Sequence, residues 1–449
     1  MPFRIQVLLV LVICAAIVTL FRPYWGLLLL VLITIARPQD DRPNVGQLHV
    51  QMIITWAVII GTLARPAVLV PRLGLAARRI ALFASFFFLM LVSALINGWT
   101  FFSQRQLDDT WTVFIVCSLI LVWVSTEERL KAFLWTLIIS GLHYVRSAIN
   151  SPRSMIHEEI GGAEFDRLNF RNAVNFGNPN FLAILMVILS FIVLAMLVYH
   201  KRFWLKAALC GMLGCFLFVF LKCQSRGATL GFAVSLIGFW MLQKRKLLTA
   251  TLMLLAIGLG LIFFAPATYF ERLKTIATYQ EDSSAMGRLN AWSYGRIMIA
   301  ENPLFGVGPA NSEPLARKLY GATSQHNAYL QVAAEIGLPG LLLYITMLLS
   351  GFRSVWTTRR LAAPYANDIP YLYTISAAFA SILIAFTVQG MFTGFGYREF
   401  VYMVLMLCYC MRSLAEKPAI PAIPEMETEA VTSGANIVAR DSATTPHWS

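Results

Sequence analysis

Apolar residues enter this chain in long unbroken runs rather than in alternation with polar ones. The runs predict helices over 48–64, 79–98, 111–125, 130–149, 178–200, 203–222, 226–242, 247–265, 327–352, 369–389 and 395–413. Most approach the roughly twenty residues that a helix needs to cross a hydrocarbon core. Strands of a membrane barrel would alternate apolar and polar positions, and these segments do not. The predicted fold is therefore all-α, a polytopic integral membrane protein of about twelve spans. The stretch 5–36 is divided by Arg22-Pro23 into runs over 5–20 and 24–36, the second short for a crossing. No small-residue cleavage site follows the first run, only Phe21-Arg22-Pro23, so it reads as retained.

The charges between the runs orient them. Arg65 to Arg79, Lys201-Arg202, Lys244-Arg245-Lys246 and Arg353 with Arg359-Arg360 form basic clusters that belong on the cytoplasmic side. The four assignments agree through every intervening span, and they put 99–110, 150–177, 223–225 and 266–326 outside. An inside N-terminus then asks for one net crossing from 5–36, through a broken or partly inserted segment. Residues 1–414 read as one membrane domain. The tail 415–449, rich in Pro, Ala, Glu, Thr and Ser without periodicity, reads as a disordered cytoplasmic extension.

Composition agrees: 58% of the 449 residues are hydrophobic and 13% charged, against about a quarter charged in soluble domains. The net charge of +13 resides in the cytoplasmic clusters, so no nucleic-acid partner is implied. Seven cysteines fall mostly inside apolar runs with no CxxC and no Cys/His cluster, which argues against a disulfide framework or a zinc site.

The outer side carries the chemistry. The 266–326 loop is long and contains Arg288-Leu289-Asn290-Ala291-Trp292 and Ile297-Met298-Ile299, which predict an amphipathic helix lying on the membrane. Asn302-Pro303 ends it, and Phe305-Gly306-Val307-Gly308-Pro309 predicts a tight turn. Arg226, in Gln224-Ser225-Arg226-Gly227-Ala228, stands where one span ends and the next begins; it reads either as an interfacial side chain or as an anion site. Gly227 beside it would let a bulky group approach the backbone. His326 opens the span after the loop, either as a helix-end residue or as a general base. Glu335, nine residues on, reads as a buried structural carboxylate. Arg272, Lys274 and Arg296 read as solvated surface; Arg153, Arg167 and Arg171 in the 150–177 loop lie among acids with no spacing that singles out a pair. Metal binding at His326 is disfavoured, since His49, His143 and His157 make no ligand-spaced pattern with it.

Four stretches in order, Gln224 to Ala228, Ser284-Ala285-Met286-Gly287-Arg288-Leu289-Asn290-Ala291-Trp292, Asn302-Pro303-Leu304-Phe305-Gly306-Val307-Gly308, and His326-Asn327 with Tyr329-Leu330, Glu335 and Gly337, resemble the bacterial O-antigen ligase family. Arg22 to Gly26 through Ala36-Arg37-Pro38 is similar to the ligase branch associated with exosortase-type systems. The resemblance implies a helical glycosyltransferase of the C type, independent of metal and of any cofactor, in the inner membrane with its site facing the periplasm. It implies a glycan donor on undecaprenyl diphosphate and a lipid A-core acceptor. It carries Arg226, Arg288 and His326 over as catalytic residues, with Arg226, Arg288, Asn327 and Tyr329 at the substrate. O-antigen polymerases and protein O-oligosaccharyltransferases share much of this pattern. A flippase for lipid-linked glycans is the competing class, but it would place polar residues near the bilayer midplane and show internal repeats, which are not seen.

Overall fold

The computed structural model describes residues 3–36, 49–150, 155–160, 163–168, 178–244, scattered positions within 246–270, 283–321, 324–364 and 370–416. The expected span 247–265 falls largely outside these, and the tail beyond 416, with Arg153, Arg171, Arg272 and Lys274, lies wholly outside them.

The fold is an all-α bundle, as the apolar runs predict. In chain order the helices are α1 (Phe3–Phe21), α2 (Pro23–Ala36), α3 (Val50–Leu63), α4 (Pro66–Ile96), α5 (Phe101–Trp123), α6 (Glu127–Asn150), α7 (Pro179–Tyr199), α8 (Phe203–Cys223), α9 (Arg226–Met241), α10 (Ser283–Glu301), α11 (Ser312–Tyr320), α12 (Ala328–Ala362), α13 (Pro370–Gln389) and α14 (Glu399–Glu416). Among the described residues, seven are long and apolar enough to cross a membrane; α2, α3, α9 and Leu9–Phe21 of α1 are shorter apolar helices. The loop between α6 and α7 contains a feature that the apolar pattern does not announce, an antiparallel hairpin of β1 (Met155–Ile160) and β2 (Ala163–Leu168).

Burial follows the sequence. α7, with the highest mean hydropathy of the spans at 3.2, is buried on nearly every face and sits against α8 and α13. A helix apolar all round belongs in the centre. α14 is buried continuously from Glu399 to Met411, between α5 and α12.

The amino-terminal stretch is broken at Arg22, where its Arg22-Pro23 division predicts a break. α1 and α2 fold back on each other at Arg22. A Cβ on Gly26 would lie 2.1 Å from the Thr19 methyl carbon, whereas residues seven apart in a straight helix are about 10 Å apart along the axis. Arg65 secures the turn by donating to the carbonyls of Leu20 (3.0 Å), Phe21 (2.7 Å) and Gly61 (2.6 Å). These are carbonyls that helix ends leave without partners. Arg65 thus caps two helix C-termini at once, those of α1 and α3.

The basic clusters converge on one end of the bundle. Lys131 lies over the rings of Tyr199 and Tyr371, and Lys244 and Arg359 lie over Tyr373, two residues along α13. Arg129 faces Tyr24 and Trp123, and Arg72 donates to the Val122 carbonyl at 2.7 Å. The opposite end carries a platform of α10, α11 and the links around them.

Candidate active site

The platform is built on a break in α12. Gly337 has φ 79° and ψ 176°, so the helix stops and restarts there. This backbone region is essentially open to glycine alone. The break frees carbonyls that a continuous helix would use itself. Ala334 O accepts from Val307 N at 2.9 Å, Glu335 O accepts from Gly308 N at 3.0 Å, and Leu338 N donates to Pro303 O at 2.8 Å. The turn predicted after Asn302-Pro303 is therefore present, and it is docked edge-on against the kink. A second glycine makes the approach possible: Gly306 has φ 64°, and a Cβ on it would fall 2.5 Å from Ala334 O.

Glu335 locks this joint. Its side chain is buried and accepts from Ser312 Oγ at 2.5 Å and from Ala310 N at 2.9 Å. Ser93 at the end of α4 donates to the carbonyls of Phe305 (2.5 Å) and Glu335 (2.9 Å), and Asn97 donates to Gly306 O at 3.1 Å. A small separate core of Met298, Val307, Ala316 and Ala334 completes the platform, with Tyr294 stacked on Tyr320 at 4.0 Å.

The helix expected to lie on the membrane is present as α10, but its inward face is occupied by protein. Ala291, Gly295 and Met298 are buried, whereas Leu289, Arg296 and Ile297 are all exposed. Small residues on that face let α10 close on the segment before α12. Trp292 Nε1 donates to Gln325 O at 2.7 Å, and a Cβ on Gly295 would meet the Gln325 side chain at 3.3 Å. Arg288 is one turn before Trp292 and two before Gly295, so it shares the face turned toward 325–326.

His326 follows directly, with φ 46°, a left-handed conformation that histidine tolerates better than most residues. The turn aims the chain into α12, whose N-cap is Asn327; its side-chain oxygen accepts from the backbone N–H of Tyr329 and Leu330, both at 3.0 Å. Ala328 N donates to Gly390 O at 2.7 Å and the Tyr329 hydroxyl to Thr387 O at 2.9 Å. Asn327 and Tyr329 thus tie the histidine's segment to the end of α13.

Arg226 is the first residue of α9. Ser225 is its N-cap, preceded by Gln224 in a left-handed conformation, and both are buried. Ser225 Oγ donates to the Asn180 side chain at 2.6 Å, and Gln389 donates to Asn180 O at 3.1 Å, so a polar chain across α9, α7 and α13 fixes where Arg226 stands. Gly227 does allow a close approach, and the group that approaches is Phe392: a Cβ there would lie 2.7 Å from the Phe392 Cβ. The link 390–398 therefore touches both the α9 and the α12 N-termini. Arg226, Arg288 and His326 are each half-buried and each already engaged within the fold.

One cation escaped the sequence reading. Arg398, at the end of that link, lies 4.4 Å from the Phe181 ring, beside Asn180. The available signal was its expected side: a basic residue on a short link that the charge pattern assigns to the outside runs against the positive-inside bias.

Two helix N-termini, each a partial positive charge, thus open onto an end that also carries Arg226, Arg288 and Arg398. Such an arrangement can hold an anion. Among the described residues, no three His, Cys, Asp or Glu side chains gather as a metal set.

Residues 223–345 match the family model described as O-Antigen ligase. The chain carries an O-antigen ligase family domain. The matched stretch runs from the last residue of α8, through Arg226, Arg288 and His326, past the α12 kink, so it contains most of the platform and supports membership of the O-antigen ligase family. No curated protein matches the chain.

Proposed function

We propose that the protein is an O-antigen ligase, transferring a glycan from undecaprenyl diphosphate to the lipid A-core oligosaccharide at the periplasmic face of the inner membrane. The observation that supports this reading most is the convergence of α9, α10 and the 325–327 segment, with their arginines and histidine, at the bundle end away from the basic clusters. By the positive-inside rule that end is periplasmic.

In this reading Arg226 and Arg288 grip the diphosphate, aided by the N-terminus of α9, and stabilise the charge that grows on it. The acceptor hydroxyl oxygen attacks the sugar C1 from the face opposite the diphosphate. The C1–O bond breaks with its electron pair passing to the diphosphate oxygen, and the hydroxyl proton passes to the His326 imidazole. One displacement inverts the anomeric centre. Asn327 and Tyr329 border the substrate and hold His326 in register. Binding does much of the work by placing the hydroxyl in line, since the donor already carries a good leaving group.

Purified protein reconstituted with lipid-linked glycan and lipid A-core should join the two, and should do so equally in EDTA. Lengthened donor without lipid A-core product would identify a polymerase, and no new bond at all would point to a flippase. Loss of ligation on chelation, restored by magnesium or manganese, would overturn the metal-independent mechanism.

Orientation is tested separately. In a background lacking the native cysteines, an impermeant thiol reagent applied from the periplasm should label Leu304→Cys and Leu319→Cys, which replace residues 62% and 61% exposed on the platform. It should not label Arg360→Cys at the basic end. The reverse pattern would put the site in the cytoplasm.

A further inference from the structure

We propose that the basic end of the bundle contains a binding site for the phosphodiester headgroup of an anionic phospholipid. The site is a shallow cleft of about 30 Å³, room at its floor for phosphate oxygens rather than a whole headgroup, between α4, the C-terminus of α5 and the last turns of α14. Arg72 and Arg79 line it seven residues apart on α4, hence on one face of that helix. Ser125 and Ser413 supply hydroxyl groups around them, while the Tyr409 hydroxyl is engaged with Ser350 Oγ. Among the described residues that line the cleft there is no carboxylate, and Glu416, further along α14, is taken by Arg412 at 2.7 Å.

Arg72 has a structural role as well, since it donates to Val122 O at the end of α5. Arg79 does not share it. Its NH1 reaches only Leu75 O of its own helix, at a long 3.4 Å, and its guanidinium lies 5.3 Å over the Tyr409 ring. Stacking leaves the edge of a guanidinium open, and that edge is what pairs with two phosphate oxygens. Ser125 Oγ is enclosed in the same cleft with no hydrogen-bond partner, a donor placed for an acceptor oxygen.

The occupant follows from position. Basic pockets between spans on this side of a bilayer suit anionic headgroups. A headgroup brings its charge on an acyl anchor already held in the adjoining leaflet, so it reaches the cleft at high local concentration.

The test uses delipidated full-length protein and native mass spectrometry with titrated phosphatidylglycerol. R79Q should weaken retention of the lipid about fivefold, the worth of one cation near a surface. R79K, which keeps the charge but not the planar fork, should fall between R79Q and the wild type. K201Q, at another link on the same end, should not change it. Equal retention by R79Q, or an equal loss in K201Q, would overturn the site in favour of general surface charge. Displacement of the lipid by inorganic phosphate at similar concentration would overturn the lipid assignment in favour of a free anion. Should R79Q fold poorly, photoactivatable phosphatidylglycerol on the wild type decides: crosslinks within 409–414 support the site, and their absence there, with labelling elsewhere, refutes it.

Discussion

His326→Ala is expected to insert and fold while glycan transfer falls by about 10²–10⁴-fold, the usual contribution of a positioned general base. Donor binding should largely persist if, as proposed, Arg226 and Arg288 hold the diphosphate. The left-handed backbone at His326 complicates the alanine variant, since a residue other than glycine, asparagine or aspartate is strained there by about 1–2 kcal/mol. His326→Asn removes that objection: it accepts the same backbone and cannot take up a proton near neutral pH. Both variants should bind donor and fail to turn it over. Arg226→Lys should differ from both, losing donor affinity with turnover, because an ammonium keeps the charge but not the planar fork. Near-normal ligation by a well-folded His326→Asn protein would reduce the histidine to a helix-end residue.

Much of the fold was legible because a bilayer imposes its own grammar. Every described span overlaps an apolar run, though Pro66–Ile96 starts well before the expected 79–98 and takes in Arg72, Arg78 and Arg79, and the basic clusters that fixed the expected orientation do gather at one end. The hairpin at Arg22 was not legible, since Arg65 reads by composition as one more loop cation; its role as a cap for α1 depends on two helices meeting in space. The site was legible in its parts and not in its joints. Arg226, Arg288 and His326 stand out by chemistry and position, but the residues that hold them, Asn180, Gln389 and Trp292, lie far from them in sequence or look like ordinary interfacial side chains. Arg398 was hidden for a related reason, since its relevance comes from the neighbouring start of α7. Gly-Leu-Pro-Gly at 337–340 is a helix-breaking sequence, but only the partners of the freed carbonyls reveal its purpose.

That break yields the largest expected structural effect. Gly337→Ala should destabilise the protein by roughly 2–6 kcal/mol, combining backbone strain of about 1–3 kcal/mol with overpacking of about 1–3 kcal/mol. Strain arises because φ 79° with ψ 176° is all but closed to a residue with a side chain. Overpacking arises because the new methyl group would lie 2.2 Å from Leu304 O, a backbone atom with nowhere to rotate. The joint would have to open, separating Val307 and Gly308 from the carbonyls of Ala334 and Glu335. Since α10 and the 325–327 segment rest on the same platform, turnover should fall with stability, in contrast to His326→Asn, where only turnover falls. Gly74→Ala is the matching control: it lies within α4, where a Cβ meets nothing within 4 Å, and alanine should be neutral or stabilising by up to about 1 kcal/mol. Thermal unfolding of both variants beside the wild type makes the comparison. A Gly337→Ala protein as stable as Gly74→Ala would mean that the loop is not clamped to the broken helix, and the platform would lose its foundation.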